Sequence, residues 1–194
     1  VMGVPCSGLN GSKWYALECG IPYSYGLIKN RYVGRTFIQP GQENRELAVR
    51  LKLNPLRSSI SGRRVVVIDD SIVRGTQLGE TTEFLYQRGA KAVHIRPACP
   101  PLLFGCTYLN FSRSNSELAL ITRRIIKELE GDPDKNLGKY ATAGTPEYRK
   151  MVDIIRERFG LTSLKFNTVE ELVRAIGLPK CKICTHCFDG SSHE

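Results

Sequence analysis

Two adjacent carboxylates, Asp69 and Asp70, follow a continuous apolar run at residues 65–68, which is typical of a strand buried on both faces. Carboxylate oxygens suit sugar hydroxyls and the hard cation Mg²⁺. The loop at residues 71–76 is short and polar, and its Gly75 can adopt a positive φ. Because a helix beginning there offers unpaired N–H groups to a phosphate, the pattern predicts a cradle for a phosphorylated sugar. The structural alternative is an acidic strand end before an ordinary helix.

A second stretch whose residues could bind a ligand is the basic segment at residues 29–39, where Lys29, Arg31 and Arg35 surround Gly34. The segment has few apolar anchors, so it is expected to become ordered around an anion. Closure of such a loop excludes water and strengthens the charge contacts beneath it. Taken alone, the segment fits a solvated basic loop better than an anion-binding loop.

The letters IDDSIVRGT at residues 68–76 are similar to the phosphoribosyl pyrophosphate (PRPP) signature of type I phosphoribosyltransferases. Together with KNRYVGRTFI at residues 29–38, they resemble the amidophosphoribosyltransferase (glutamine PRPP amidotransferase) family. The resemblance covers most of the chain and is weakest at about residues 125–150. It implies transfer of a phosphoribosyl group from PRPP to ammonia, which gives 5-phosphoribosylamine in the first step of purine biosynthesis.

The resemblance also implies roles for individual residues. Residues that act in or close the catalytic site would be Tyr32, Arg35 and Lys52. Residues that bind PRPP would be Lys29, Arg31, Ile38, Asp69, Asp70, Ser71, Ile72, Val73, Arg74, Gly75 and Thr76. Residues that hold Mg²⁺ would be Ser7, Asp69 and Asp70. Two of these residues also have purely structural alternatives. Ser7 could be a helix N-cap, and the charge of Lys52 could simply stabilise the C-terminus of a helix.

The turn at residues 4–8 departs from the family pattern, which is usually VPDSG. Cys6 stands where an aspartate is usual, and this removes a negative charge beside the expected metal. The substitution puts the geometry of the turn in doubt.

The chain has seven cysteines, and Cys181, Cys184 and Cys187 form a CxxCxxC pattern. An odd count and this spacing favour metal or cluster ligation over a disulfide framework, and they indicate a cytoplasmic protein. The resemblance implies that Cys106, Cys184 and Cys187 are three of the four ligands of a [4Fe-4S] cluster, with the fourth upstream of this chain. Zinc is the competing metal.

The chain opens with Val1 inside an apparent strand, so a truncated fragment is expected. We predict an α/β type I phosphoribosyltransferase core at residues 1–110, with a parallel sheet flanked by helices. A helical Cys-rich segment at residues 111–194 is expected to pack on it. In this family glutamine use requires an N-terminal glutaminase domain, which would precede the chain, and a homo-oligomer is expected. Without that domain only ammonia could serve as the nitrogen donor.

The apolar patterns predict the elements that position these residues. A helix should end near Gly20, with Trp14, Tyr15 and Leu17 in the core, and Pro40 should open another helix reaching about Leu53. Beyond the acidic strand we expect a helix that stops at Gly89 and a strand containing Val93, Ile95 and Pro97. Later expectations are helices at residues 116–129 and 146–159, a surface loop at 131–145, a strand around Leu164 and Phe166, and a capping box of Thr168 and Glu171.

The net charge of +9 admits nucleic acid, a membrane surface or a polyanionic small molecule as partner. No apolar run approaches the thickness of a bilayer, and no groove-reading motif is present. The competing hypothesis is a PRPP-sensing regulator or nucleic-acid-binding module on the same fold. A base-salvage phosphoribosyltransferase is a third possibility, but its sequence would usually lack the basic segment at residues 29–39.

Overall fold

A computed structural model describes residues 1–30, 53–106, 108 and 117–191 of the chain. The chain forms two compact units. The first unit contains residues 1–69 and 81–94, and the second contains residues 70–80 together with the chain from Ile95 onward.

The first unit is built on β4, the buried strand that ends in Asp69. Its elements are β1 (Met2–Gly3), α1 (Gly8–Cys19), β2 (Leu27–Lys29), β3 (Leu53–Pro55), α2 (Arg57–Ile60) and β4 (Arg64–Asp69). Strands β1 and β4 run parallel, with Met2 opposite Val67 and Gly3 opposite Ile68. Strands β2 and β3 form a separate antiparallel pair.

Helix α3 (Thr76–Gln87) and strand β5 (Ala92–Pro97) each contribute residues to both units. The second unit is otherwise mostly helical. Its further elements are α4 (Ile121–Glu130), α5 (Leu137–Ala141), α6 (Pro146–Arg158), β6 (Ser163–Leu164), α7 (Val169–Ile176) and α8 (His186–Asp189). The four-stranded sheet has the order β1-β4-β5-β6, which confirms the predicted α/β class.

Helix α1 corrects one prediction about the core. Trp14 and Leu17 are each 72% exposed, so they are not core residues. The helix instead buries three small residues four positions apart, Gly8, Ser12 and Ala16. A Cβ on Gly3 would collide with the carbonyl oxygen of Gly8, so the strand and the helix approach at backbone distance. Small residues permit that approach, and the large apolar side chains are left on the opposite face.

The segment at residues 131–145 was expected to be a surface loop, but it contains the helix α5. Tyr140 in this helix is 1% exposed, and its hydroxyl donates a 3.0 Å hydrogen bond to Glu130. The helix expected at 116–129 is divided into a 3-10 turn (Glu117–Ala119) and α4. The helix expected at 146–159 is confirmed as α6.

Several local predictions are confirmed at helix ends. Gly20 follows α1 in the left-handed conformation, with φ +64°. Thr168 and Glu171 form the predicted capping box at α7, with hydrogen bonds of 3.1 and 2.8 Å. Residues 40–52 of the predicted helix lie outside the described residues, and Leu53 opens β3 instead. In the part of the chain that the structure describes, the helices are all too short or too polar to cross a bilayer.

Candidate functional site

In the first unit, the turn at residues 4–8 lies against the carboxyl end of β4. The backbone N–H of Val4 donates a 2.9 Å hydrogen bond to the carbonyl oxygen of Ile68. A Cβ on Gly8 would collide with that same oxygen and would lie 3.4 Å from the Cα of Asp69. This close packing brings the turn to the edge where ligands bind in open parallel sheets. A glycine is therefore required at residue 8.

Ser7 is exposed and immediately precedes α1. Its own backbone is helical, and its side chain caps none of the helix N–H groups that the structure describes. The N-cap alternative for the Ser7 hydroxyl therefore finds no support, and the residue is accessible to solvent. This placement is compatible with the predicted role of Ser7 as a metal ligand.

Cys6, which departs from the family pattern, is exposed beside Ser7. The Nζ atom of Lys29, at the end of β2, lies 4.0 Å from its Sγ atom. The structure therefore brings Lys29, a predicted PRPP-binding residue, to the turn that carries Ser7. An aspartate at this position would form an ion pair with Lys29, whereas the thiol of Cys6 makes only a weak contact with it.

In the second unit, the loop at residues 71–76, here called the phosphate loop, is held through the carbonyl oxygens of Val73 and Arg74, and the residue before it, Asp70, is held in the same way. The Asp70 carbonyl accepts a 3.0 Å hydrogen bond from Cys99, and the Val73 carbonyl accepts one of 2.9 Å from Ile121. The Asp70 carboxylate accepts a 2.7 Å bond from the backbone N–H of Ser71. Among the described residues, no protein acceptor is found for the backbone N–H groups of residues 72–76. The loop thus has the donor groups that a phosphate requires.

Gly75 in the phosphate loop adopts φ +80°, a conformation that favours glycine. A Cβ at this position would lie 2.5 Å from Cζ of Phe159, the residue that follows α6. The Arg74 carbonyl next to it accepts a hydrogen bond from the Arg124 guanidinium. Phe159 and Arg124 were not predicted from the sequence, because they lie far along the chain in ordinary helical patterns.

Most of the predicted residues of the basic segment have no described position. The residues that lie outside the described part of the chain are Arg31, Tyr32, Arg35, Ile38 and Lys52. Asp69 is half-buried, whereas Asp70 and Arg74 are exposed.

The cysteine pattern is the last predicted site. Burial, together with the neighbouring thiols of Cys106 and Cys184, raises the pKa of Cys187 to about 11. The Cys187 carbonyl accepts hydrogen bonds of 2.9 and 3.1 Å from Leu103 and Phe104. Across residues 1–30, 53–106, 108 and 117–191, no group of three or more His, Cys, Asp or Glu side chains is arranged to hold one metal ion. The thiols are soft donors, but their arrangement does not fit a complete cluster site.

Comparison with known proteins gives a consistent result. No family model matches the chain. The chain is 40% identical over 190 residues to the amidophosphoribosyltransferase of Methanothermobacter thermautotrophicus, and the match covers 98% of this chain and 34% of that relative. It is 39% identical to the enzyme of Mycobacterium tuberculosis and 37% identical to the chloroplastic enzyme of Glycine max. The chain therefore spans about a third of the length of the curated relatives it matches.

A solved structure agrees with these sequence matches. The glutamine PRPP amidotransferase of B. subtilis, complexed with ADP and GMP, superposes with a TM-score of 0.74 and 38% identity. The match covers 98% of this chain and 37% of the B. subtilis chain.

Proposed function

Because this chain is homologous over nearly its whole length to one part of the amidophosphoribosyltransferases, we propose that it is the phosphoribosyl-transfer part of such an enzyme. The proposed reaction joins ammonia to the anomeric carbon of PRPP, releases pyrophosphate and yields 5-phosphoribosylamine for purine biosynthesis. The observation that carries the proposal is the phosphate loop, in which the carbonyls of residues 73–75 are bonded to protein while the N–H groups of residues 72–76 have no described protein acceptor.

The phosphate loop would hold the 5′-phosphate of PRPP through its backbone N–H groups. The loop lies just beyond the end of β4 and leads directly into α3, whose first turn begins at Thr76. The N-terminus of this helix adds a partial positive charge that favours a bound phosphate. The side chain of Asp70 bonds to the N–H of Ser71 and therefore stays at the edge of the loop. The loop would fix one end of the substrate.

Asp69 and Asp70 would hold the ribose hydroxyls and, with Ser7, a Mg²⁺ ion. Their carboxylate and hydroxyl oxygens are the hard donors that Mg²⁺ prefers, so the residues present fit the ion chemically. When bound, Mg²⁺ supplies charge neutralisation for the pyrophosphate. The protein's own contribution is to orient the ribose, so that ammonia meets the anomeric carbon opposite the departing group.

The basic side chains would neutralise the leaving pyrophosphate. Lys29 stands next to the turn at residues 4–8, and its charge there would favour the negative charge that grows on the leaving group. We assign the same role to Arg31 and Arg35, and we assign closure of the site to Tyr32 and Ile38. Lys52 would reach the closed site.

Glutamine use and assembly are proposals for the longer polypeptide. The relatives are about three times as long as this chain, and we propose that a glutaminase domain in the additional part supplies ammonia. Homo-oligomer formation is likewise proposed. This chain alone would use free ammonium and not glutamine.

An iron–sulfur cluster is likewise proposed only for the longer polypeptide. The pair of Cys106 and Cys187 supplies two soft donors, with Cys184 close by. Anaerobically purified full-length protein should contain iron and acid-labile sulfide and absorb broadly in the visible range. Stoichiometric zinc would contradict this proposal.

The proposed function is tested by measuring pyrophosphate release from PRPP with Mg²⁺ and ammonium. Asp70→Asn should lower kcat/KM roughly a hundredfold, because a charge that orients the substrate is lost. Asp153→Asn is the matched control, since Asp153 is exposed on α6. If the wild-type protein neither releases pyrophosphate nor binds PRPP, the proposal is wrong. If it binds PRPP without turnover, or binds nucleic acid with a steep salt dependence, the regulatory alternative is supported.

A further inference from the structure

We propose that Arg124 and Phe159 are positioning residues for the phosphate loop, an inference that rests on the proposed function. Neither residue belongs to the motif at residues 68–76, and they follow it by a long stretch of chain. They act on the loop from the side opposite to the expected phosphate. Their role is to fix the direction of the loop N–H groups.

Helix α4 holds two consecutive carbonyls of the loop. The backbone N–H of Ile121, the first residue of α4, donates to the carbonyl of Val73 at 2.9 Å. One turn later, the guanidinium of Arg124 donates to the carbonyl of Arg74. Both carbonyls therefore point toward the start of α4.

The direction of these carbonyls decides the direction of the next N–H groups. In a trans peptide the C=O and the following N–H point in opposite directions across a rigid plane. With the carbonyls of Val73 and Arg74 turned toward α4, the N–H groups of Arg74 and Gly75 point away from it. Those two N–H groups are among the proposed phosphate donors. By bonding to the Arg74 carbonyl, Arg124 holds the peptide plane that carries the N–H group of Gly75.

Phe159 supports the same loop from the end of α6. Its ring would lie 2.5 Å from a Cβ on Gly75 and 3.1 Å from a Cβ on Gly79 in α3. The aromatic ring thus packs directly on the backbone of the loop and of the helix that follows. Since tight packing resists displacement, the ring limits how far Gly75 can move.

The inference is tested by comparing two probes, ribose 5-phosphate and pyrophosphate, by calorimetric titration. Arg124→Gln should weaken ribose 5-phosphate binding by about tenfold, as expected for loss of one hydrogen bond that orders a donor. Pyrophosphate binding should stay within about twofold, because it does not use this loop. Arg124→Lys, which keeps a donor, should restore part of the affinity.

Lys127→Gln is the matched control, because it removes the same charge from an exposed position on the same helix. Its ribose 5-phosphate affinity should equal that of the wild type. Equal weakening by Lys127→Gln and Arg124→Gln would overturn the inference, since only net charge would then matter. Unchanged affinity in Arg124→Gln would overturn it as well.

Phe159→Leu provides a second, independent variant, with Phe84→Leu as a control at another half-buried phenylalanine. Phe159→Leu should weaken ribose 5-phosphate binding and spare pyrophosphate binding, whereas Phe84→Leu should spare both. Equal weakening of both probes in Phe159→Leu would contradict a positioning role. Failure of the wild type to bind either probe would instead count against the proposed function itself.

Discussion

The hydroxyl of Tyr140 donates a 3.0 Å hydrogen bond to the Glu130 carboxylate, which links α5 to the end of α4. Burial and this carboxylate raise the pKa of Tyr140 to about 12. Tyr148 also has its pKa raised to about 12, chiefly by burial. Both phenols should therefore remain neutral in the folded state at pH values where an unfolded tyrosine ionises.

This relationship predicts how stability depends on alkaline pH. An unfolded tyrosine titrates near pH 10, so between about pH 10 and 12 the folded state binds more protons than the unfolded state. The free energy of unfolding should fall as pH rises through this window. Tyr140→Phe should flatten the fall, measured as urea midpoints by circular dichroism at pH 7, 10 and 11.5.

Tyr108→Phe is the control for this prediction, because Tyr108 is 76% exposed. Its pH profile should follow that of the wild type. A profile for Tyr140→Phe as steep as the wild type's would show that Tyr140 does not titrate in the manner described.

Gly75→Ala should destabilise the protein by roughly 1–3 kcal/mol, because alanine is strained at positive φ and its Cβ would meet Phe159. Gly138→Ala offers a contrast, since Gly138 lies inside α5 and a methyl group there would meet open space. That substitution should be stabilising by about 0.4–1 kcal/mol. Urea unfolding of the two variants should therefore move in opposite directions, and equal shifts would contradict the assigned geometry of Gly75.

Arg123→Met should be strongly destabilising, because this buried guanidinium donates to two carbonyls, at 2.5 Å to Leu103 and 2.8 Å to Pro133. Each carbonyl left without a donor costs about 1–3 kcal/mol. The Asp134 carboxylate, which pairs with Arg123 at 2.6 Å, has a side chain that is 69% exposed.

Asp134→Asn should therefore cost less than about 1 kcal/mol. The two variants separate the carbonyl contacts from the ion pair, and guanidinium unfolding followed by circular dichroism measures both. A larger loss in Asp134→Asn than in Arg123→Met would reverse this assignment.

Alkylation should distinguish the cysteines in chelator-treated protein. Cys6 and Cys19 are exposed, whereas Cys106 is 6% exposed. Burial raises the pKa of Cys99 and Cys187, which lowers their thiolate fractions. Cys181 and Cys184 are exposed as well, so iodoacetamide at pH 8 followed by peptide mass spectrometry should show these four exposed cysteines modified first and Cys106 last. In urea all seven cysteines should react alike, and early modification of folded Cys106 would contradict its burial.

The elements with strong local signals could be predicted from the sequence. The apolar run before Asp69 gave β4, and the Thr168 and Glu171 spacing gave a helix start that the structure confirms. The phosphate loop is predicted from the same kind of signal, since its glycine and its hydroxyl residues are local features, and its binding role stays a prediction. These signals depend only on neighbours in the chain.

Features decided by tertiary contacts could not be predicted in this way. The buried face of α1 consists of small residues, so apolar periodicity identified the wrong face through Trp14 and Leu17. Helix α5 is short, and its burial rests on one side chain, Tyr140. The packing of Phe159 against Gly75 joins residues that are distant in sequence, and no local pattern predicts it.

The exposed position of Trp14 has a practical consequence for spectroscopy. It is the protein's single tryptophan, and its indole is 72% exposed in the folded state. Its emission should already lie near that of an indole in water, so denaturation should shift the emission maximum very little. A blue shift on mixing with another protein would instead report that the outer face of α1 had become covered.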